Sequence, residues 1–370
     1  MSIVCNKKKL SEMIAKAQKA VNAKSTLDAL KCVCVEGKSN TLSITGYDME
    51  MGAVGSMEAK VDNDCKFIVN ASLFGDIVRK LSEEEVTLSY FENENKLHIN
   101  SGNSNFSIVT GNLSEYPALP KVTNDYSFTI NSKVLKNMIS KTLISISQDV
   151  SKVVLTGALL EIEQDSVTMA SIDGYRLSTS KEMIETGVAE AKKVIVPGKI
   201  LNAISSVIGS LDADIEIMLN DKVVGISIGD TSLSSNLIEG EFVDYKKLLP
   251  KDSNIQLKVN KSKFLNTIDR ACSILLNEKN SLVKFSVEDE HIRVVANSDL
   301  GGCNESVSID KIKGDGLNIA FNARYLCDAL KVITSDEVVV NFDTNVTPCT
   351  INPVNDEDFT YLLLPVRLSN

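Results

Sequence analysis

The 370-residue chain has no tryptophan, only two histidines and seven prolines, and none of its eight cysteines stands in a C-x-x-C pair. His98 and His291 both sit inside apolar-alternating runs, so a histidine-built zinc site lacks ligands, and neither a metal nor another cofactor is expected. Cys5, Cys32, Cys34, Cys65, Cys272, Cys303, Cys327 and Cys349 are scattered and read as reduced, mostly buried small hydrophobes. No apolar run approaches the roughly 20 residues that span a bilayer. Met1 to Val4 leads into Lys7, Lys8 and Lys9 without the apolar core of a secretory leader, so a cytoplasmic location is expected. There is no G-x-x-x-x-G-K-[ST] loop, no helix-turn-helix signature and no aromatic base-stacking motif. What is present is an ordinary globular composition, 43% hydrophobic and 24% charged, long enough for two or three domains.

A short strand, a capping residue and an amphipathic helix recur six times, anchored at Asn6, Asn70, Asn131, Pro197, Asn260 and Asn322. Three residues before each anchor stand Ile3, Phe67, Phe128, Val194, Leu257 and Ile319. One before stand Cys5, Val69, Ile130, Val196, Val259 and Phe321, an alternation of strand period. Four after come Leu10, Phe74, Leu135, Leu201, Phe264 and Leu326; eight after come Ile14, Val78, Ile139, Ser205, Ile268 and Leu330, one helical stripe. Asparagine caps a helix by accepting from an orphaned backbone N–H, and Pro197 suits a first helical turn. Alternating runs follow each helix, so each unit reads β-α-β-β-β. The segments EYPALP ending at Pro120, DYKKLLP ending at Pro250 and FTYLLLP ending at Pro365 close every second unit. Three similar α+β domains are therefore expected, at 1–120, 121–250 and 251–370, with helices on one face and antiparallel sheets on the other.

The net charge is −10, which taken alone argues against a nucleic-acid partner. Its distribution reverses that. The six helical segments (6–21, 70–81, 131–147, 197–209, 260–276 and 322–333) hold 16 Lys or Arg and 4 Asp or Glu, leaving the remainder at −22. Several of these cations, such as Lys7, Lys8, Lys9, Lys199, Lys261, Lys263 and Arg324, fall near first helical turns, where the macrodipole disfavours them. Six runs of one sign on equivalent helices imply a shared surface for an external polyanion, with no base readout and hence no sequence specificity.

The whole chain resembles the bacterial DNA polymerase III beta subunit family, the sliding clamps. LSITGYDME (42–50) is similar to the family's first-domain strand and turn, DGYRL (173–177) to its middle-domain hallmark, SILLNEK (273–279) to its third-domain helix end and LPVRL (364–368) to its carboxy-terminal motif. The resemblance implies a head-to-tail homodimeric ring with helices lining the hole. Such a ring encircles duplex DNA, serves as a polymerase processivity factor and has no catalytic residues. The implied partners are DNA, a second copy, the replicative polymerase alpha subunit, the clamp-loader delta subunit and other proteins with clamp-binding motifs.

The same resemblance implies a peptide pocket formed by Leu155, Ile172, Gly174, Tyr175, Arg176, Leu177, Val243, Lys247, Leu248, Pro348, Leu362, Leu364, Pro365, Val366 and Arg367. It would be an apolar cleft with cations at its rim for polar or acidic peptide groups. Tyr175, Val243, Leu364 and Val366 stand where relatives often have histidine, proline and two methionines, and Ser369 and Asn370 extend past the usual end. The implied DNA contacts are Lys24, Gln148, Lys152 and Lys199. The implied dimer seam sets Phe106 and Ile108, on an edge strand, against Ile274 and Leu275. A rival reading is an enzyme using Asp173 and Arg176 with Asp48 or Asp299. These aspartates occupy similar positions in equivalent units, which reads as a turn, and no nucleophile and base pair accompanies them.

Overall fold

The computed structural model of the chain describes residues 1–120, 122–123, 125–275, 281–354, 356 and 358–367. Leu276 to Lys279 and Leu368 to Asn370, which belong to two of the motifs above and to the carboxy-terminal extension, lie outside the described residues. The six expected helices form: α1 (Lys7–Ala17), α2 (Ala71–Lys80), α3 (Ser132–Leu143), α4 (Gly198–Ile208), α5 (Lys261–Ile274) and α6 (Ala323–Val332). Each is preceded by one strand and followed by three, so β-α-β-β-β is repeated six times, with the two-residue strand Lys60–Val61 added in the first repeat.

Each asparagine anchor caps its helix. The Oδ1 atoms of Asn6, Asn70, Asn131, Asn260 and Asn322 accept from the backbone N–H of Lys9, Leu73, Lys133, Lys263 and Arg324. Each such cap contributes about 1 kcal/mol. Pro197 differs from its expected place. It is the last residue of the strand Lys192–Pro197, paired with Gly157, and the helix begins at Gly198. A proline can end a strand there because the ring already holds an extended-compatible φ. Eleven of the twelve stripe positions are buried, the half-exposed Ser205 being the exception.

Two compact units emerge from the backbone contacts, one of Met1–Lys133 with Lys199–Leu237 and one of Val134–Gly198 with Ile238–Asn370. The grouping cuts across a division at residues 120 and 250, because each sheet is continuous where one third of the chain meets the next. In the first unit a thirteen-stranded antiparallel sheet runs from Tyr126–Asn131 to Lys60–Val61, and Thr231–Asn236 pairs with Met51–Glu58 at the junction. α1 and α2 pack on each other and on this sheet, burying Leu10, Met13, Ile14, Phe74 and Val78 among Ile3, Val35, Phe67 and Leu88.

In the second unit twelve strands run from Lys192–Pro197 to Leu317–Asn322, and the junction is Arg176–Met183 against Phe359–Leu363. α5 and α6 pack together over a core in which the rings of Phe264, Phe285, Phe321 and Phe342 follow one another at 5.7, 5.8 and 6.2 Å. Among the described residues no helix is long and apolar enough to cross a membrane. His98 and His291 both lie on strands, beside Phe91 and Glu288 respectively.

Candidate functional site

The junction of the second unit assembles most of the expected pocket. Antiparallel pairing sets Leu177 opposite Leu362 and Arg176 opposite Leu363, and Cys349 pairs with Leu363, which brings Pro348 alongside. Beyond the strand the contact continues: Leu364 N–H donates to the Tyr175 carbonyl at 2.9 Å and Val366 N–H to the Ala320 carbonyl at 2.8 Å. Leu177 and Leu362 are buried in one apolar cluster with Leu159, Ala170, Ile195 and Tyr245, and Ile172 packs against it. Leu155, Pro348, Pro365 and Val366 are half-buried, whereas Gly174, Tyr175, Val243, Lys247, Leu248, Leu364 and Arg367 are exposed. An apolar floor with exposed Tyr175, Val243, Leu248 and Leu364 above it can seat apolar and aromatic anchors.

The turn that opens this wall needs an unusual backbone. Asp173 Oδ1 accepts from the N–H groups of Tyr175 at 2.8 Å and Arg176 at 3.0 Å, and Gly174 between them has φ +96°. Asp48 does the same for Glu50 and Met51 in the first unit, with Met49 at φ +79° where glycine would be unstrained. Both aspartates are therefore turn acceptors. The Asp299 region is built differently: there Ser298 Oγ accepts from Leu300 N–H.

Arg176 departs from its expected part as a rim cation. Its side chain is only 12% exposed; Nε donates to Asp173 at 2.9 Å, Nη1 to Asp328 at 2.7 Å, and the guanidinium lies 4.1 Å from the Tyr325 ring centroid. With two carboxylates on it, its charge is spent inside the protein. Lys247, 83% exposed and paired with Asp244, and Arg367 are the exposed cations among the expected pocket residues. Neither Asp328 nor Tyr325 was expected here. A sequence signal for Asp328 exists, since it is one of four acidic residues on the helices.

A second group missed from sequence holds the far wall. Glu161, 3% exposed, accepts from Tyr245 Oη at 2.6 Å, Lys193 Nζ at 2.7 Å and Lys246 Nζ at 3.0 Å. Burial pushes its carboxyl up, but these three donors outweigh burial and hold it below the ordinary glutamate value. Tyr245 starts the short 3-10 turn Tyr245–Lys247, so the buried glutamate fixes the segment that presents Lys247 and Leu248.

Thirteen of the sixteen helical cations fall into two sets. Lys16, Arg79, Lys133, Lys141, Lys199 and Arg270 are ion-paired to Asp230, Asp76, Asp212, Asp356, Asp48 and Glu305. Lys141 is buried and holds Asp356 at 3.0 Å, so it is not a surface charge. Lys7, Lys8, Lys9, Lys19, Lys80, Lys263 and Lys331 have no carboxylate partner among the described residues. Of the expected DNA contacts, Lys24, Gln148 and Lys152 are exposed on loops, and Lys199 is tied to the buried Asp48. Of the seam residues, Phe106 is 40% exposed and Ile274 half-buried, while Ile108 and Leu275 are buried in the cores of their own units.

Comparison with known proteins is consistent along the chain. Family models for the DNA polymerase III beta subunit match residues 1–120 (N-terminal domain), 129–244 (central domain) and 246–367 (C-terminal domain). The beta sliding clamps of Staphylococcus epidermidis and Staphylococcus aureus are each 32% identical, with 94% of both chains covered. Among solved structures, the Bacillus subtilis DNA polymerase sliding clamp superposes with TM-score 0.94 at 28% identity over 100% of both chains, and a putative DNA polymerase III beta subunit from Eubacterium rectale with 0.93 at 29% over 99% of both. Three clamp domains, six equivalent helices and continuous antiparallel sheets agree with these matches: the chain belongs to the DNA polymerase III beta subunit family, the bacterial sliding clamps, which are accessory processivity factors and not catalysts.

Proposed function

We propose that two copies of this chain close head to tail into a ring around duplex DNA and hold polymerases through the Leu177–Leu362 pocket, working in the cytoplasm. The strongest support is the recurrence of unpaired lysines on equivalent asparagine-capped helices of an acidic protein. Lysines that meet phosphates without reading bases give weak, salt-dependent, sequence-independent contact, which suits sliding. Lys24, Gln148 and Lys152 extend that set, and Lys199 joins it only as a charge already half-used by Asp48.

Two different open sheet edges support the head-to-tail arrangement. Ser104–Gly111 pairs with Lys96–Ser101 along its length but with Cys65–Asn70 only at Thr110 and Gly111. Gly301–Lys313 pairs with His291–Ser298 through residues 301–308 and with Ile255–Asn260 only beyond them. Unlike edges form heterologous contacts, which close into a ring when the rotation permits. Phe106 and Ile274 are apolar groups available to cover such a seam, with Ile108 and Leu275 backing them from the cores. For partners, the exposed Tyr175, Val243 and Leu364 suit apolar and aromatic peptide ends, and Lys247 and Arg367 suit acidic ones, as in a polymerase alpha subunit or a loader delta subunit.

The test is retention. The protein, loaded by an ATP-driven clamp loader, should stay on a nicked circular plasmid through gel filtration and run off the same plasmid once linearised. Equal retention on both forms would rule out encirclement.

A further inference from the structure

Between two of the helices, the sulfur atoms of Cys272 and Cys327 lie 4.0 Å apart, Cys272 in the last turn of α5 and Cys327 in the middle of α6. A disulfide needs about 2.05 Å, so the remaining approach of about 2 Å is within reach of a side-chain torsion change. The two thiols are unequal. Cys327 is 4% exposed, whereas Cys272 is half-exposed. Arg324 and Lys331, both on α6, favour a Cys272 thiolate, and Asp269 on α5 opposes it. The hydrogen bond from Cys327 pulls the Cys272 thiol below its ordinary value, while the same bond and burial push Cys327 up. Cys5, Cys34 and Cys349 are by contrast buried thiols pushed up to about 12, about 11 and about 12. The partly exposed thiol is the one a peroxide can reach, and the second sulfur 4.0 Å away is placed to resolve it.

We propose that Cys272 and Cys327 are a reversible oxidative modification site that reacts with a peroxide. The Cys272 thiolate attacks a peroxide oxygen; the O–O bond breaks, hydroxide leaves, and Cys272 becomes a sulfenic acid. The Cys327 sulfur then attacks the Cys272 sulfur, the S–S bond forms, the S–O bond breaks, and water leaves with the Cys327 proton. Two thiols and one hydrogen peroxide give one disulfide and two waters, the sulfur pair supplying two electrons, and a dithiol reductant reverses the step. The cross-link joins residues 55 apart in sequence. It therefore closes a long loop of the unfolded chain, and the oxidised protein should melt at a higher temperature.

The experiment uses the full chain and hydrogen peroxide. After brief exposure, removal of the peroxide and denaturation, the count of titratable thiols should fall from the eight of the sequence to six. Peptide mapping should find residues 272 and 327 in one cross-linked species that dithiothreitol dissolves. In Cys272→Ser the count should stay at seven, before and after peroxide. A count that stays at eight in the unaltered chain overturns the proposal. So do lost thiols that map to other cysteines, or Cys272 recovered as sulfinic acid beside a free Cys327. The unaltered chain decides the matter even if the variant folds poorly.

Discussion

Replacing Arg176 separates two roles that a pocket arginine can have. Were it a rim cation that meets acidic peptide groups, Arg176→Lys would keep the charge and most of the affinity. The structure gives it a different job. Its planar fork spans Asp173 and Asp328 at 2.9 and 2.7 Å while its face covers Tyr325 at 4.1 Å, three contacts that one ammonium cannot make together. The Asp173 half is nearly buried, and a hydrogen bond between charged groups there is worth about 1.5–3 kcal/mol. The Asp328 half is 41% exposed on the carboxylate side and contributes about 0.5–1 kcal/mol after screening. Stacking on Tyr325 adds about 1 kcal/mol. Arg176→Ala should therefore cost about 3–5 kcal/mol locally, in line with breaking one partner from a buried pair, and Arg176→Lys should recover less than half of that. Because the turn at Gly174 and the strand start at Arg176 carry Tyr175 and Leu177, peptide affinity should drop about tenfold or more in both variants. The salt dependence of what binding remains should be unchanged. The assay is thermal unfolding beside isothermal titration with an acidic, aromatic-ended peptide at two ionic strengths. Wild-type affinity in Arg176→Lys, or a flatter salt dependence in Arg176→Ala, would refute the reasoning; Lys247→Ala and Arg367→Ala are the variants expected to flatten it.

Three further outcomes follow from the same structure. Glu161→Gln should destabilise the protein by about 1–3 kcal/mol at pH 7. Since the folded carboxyl is held below its unfolded value, that stability is present above about pH 4.5 and lost as pH falls through the folded value. The wild-type advantage in melting temperature should thus shrink in acid, and an advantage constant from pH 7 to 3 would show that the charge is not what holds Tyr245. Ile274→Asp should give monomers in sedimentation velocity with an unchanged far-ultraviolet circular dichroism spectrum, whereas Leu275→Asp should unfold its unit because Leu275 is 1% exposed; an undisturbed Ile274→Asp dimer would place the seam elsewhere. Removing residues 364–370 deletes the bonds of Leu364 to Tyr175 and Val366 to Ala320, and should abolish peptide binding while sedimentation still reports a dimer. Peptide titration unaffected by the truncation would remove the carboxy terminus from the pocket.

Local features of the fold were legible because local physics decides them. Apolar alternation before Asn6, a cap at Asn6 and a stripe at Leu10 and Ile14 occur within a dozen residues, and all five asparagines bond as their position demands. Pro197 was misplaced by one step because a proline satisfies both a strand end and a helix start. The distribution of charge was legible by element but not by partner. Lys16 meets Asp230, Lys141 meets Asp356 and Lys199 meets Asp48 across 214, 215 and 151 positions, separations that no sequence window spans. The net charge counted on the helices therefore overstates the free charge, and the lysines left unpaired are the ones on which phosphate contact should depend.

The candidate site was readable in outline for a related reason and incomplete for another. Its floor follows from strand pairing, so Leu177 and Leu362 meet as soon as the two runs share a sheet. Its supports are polar groups whose partners come from different strands and helices, and these gave no periodic signal. One signal did exist. The tyrosine in each closing segment, Tyr116, Tyr245 and Tyr361, recurs with the repeat, and each hydroxyl is satisfied inside the protein: by the Thr45 carbonyl at 3.0 Å, Glu161 at 2.6 Å and the Tyr325 carbonyl at 2.9 Å. A phenol that must be both buried and bonded restricts where its segment can lie. Two of the three bear on the pocket directly, Tyr245 by fixing the turn before Leu248 and Tyr361 by holding the α6 backbone at Tyr325, under Arg176. The closing segments are thus anchors as well as boundaries, and Tyr245→Phe should loosen the pocket wall while leaving Leu177 and Leu362 in contact.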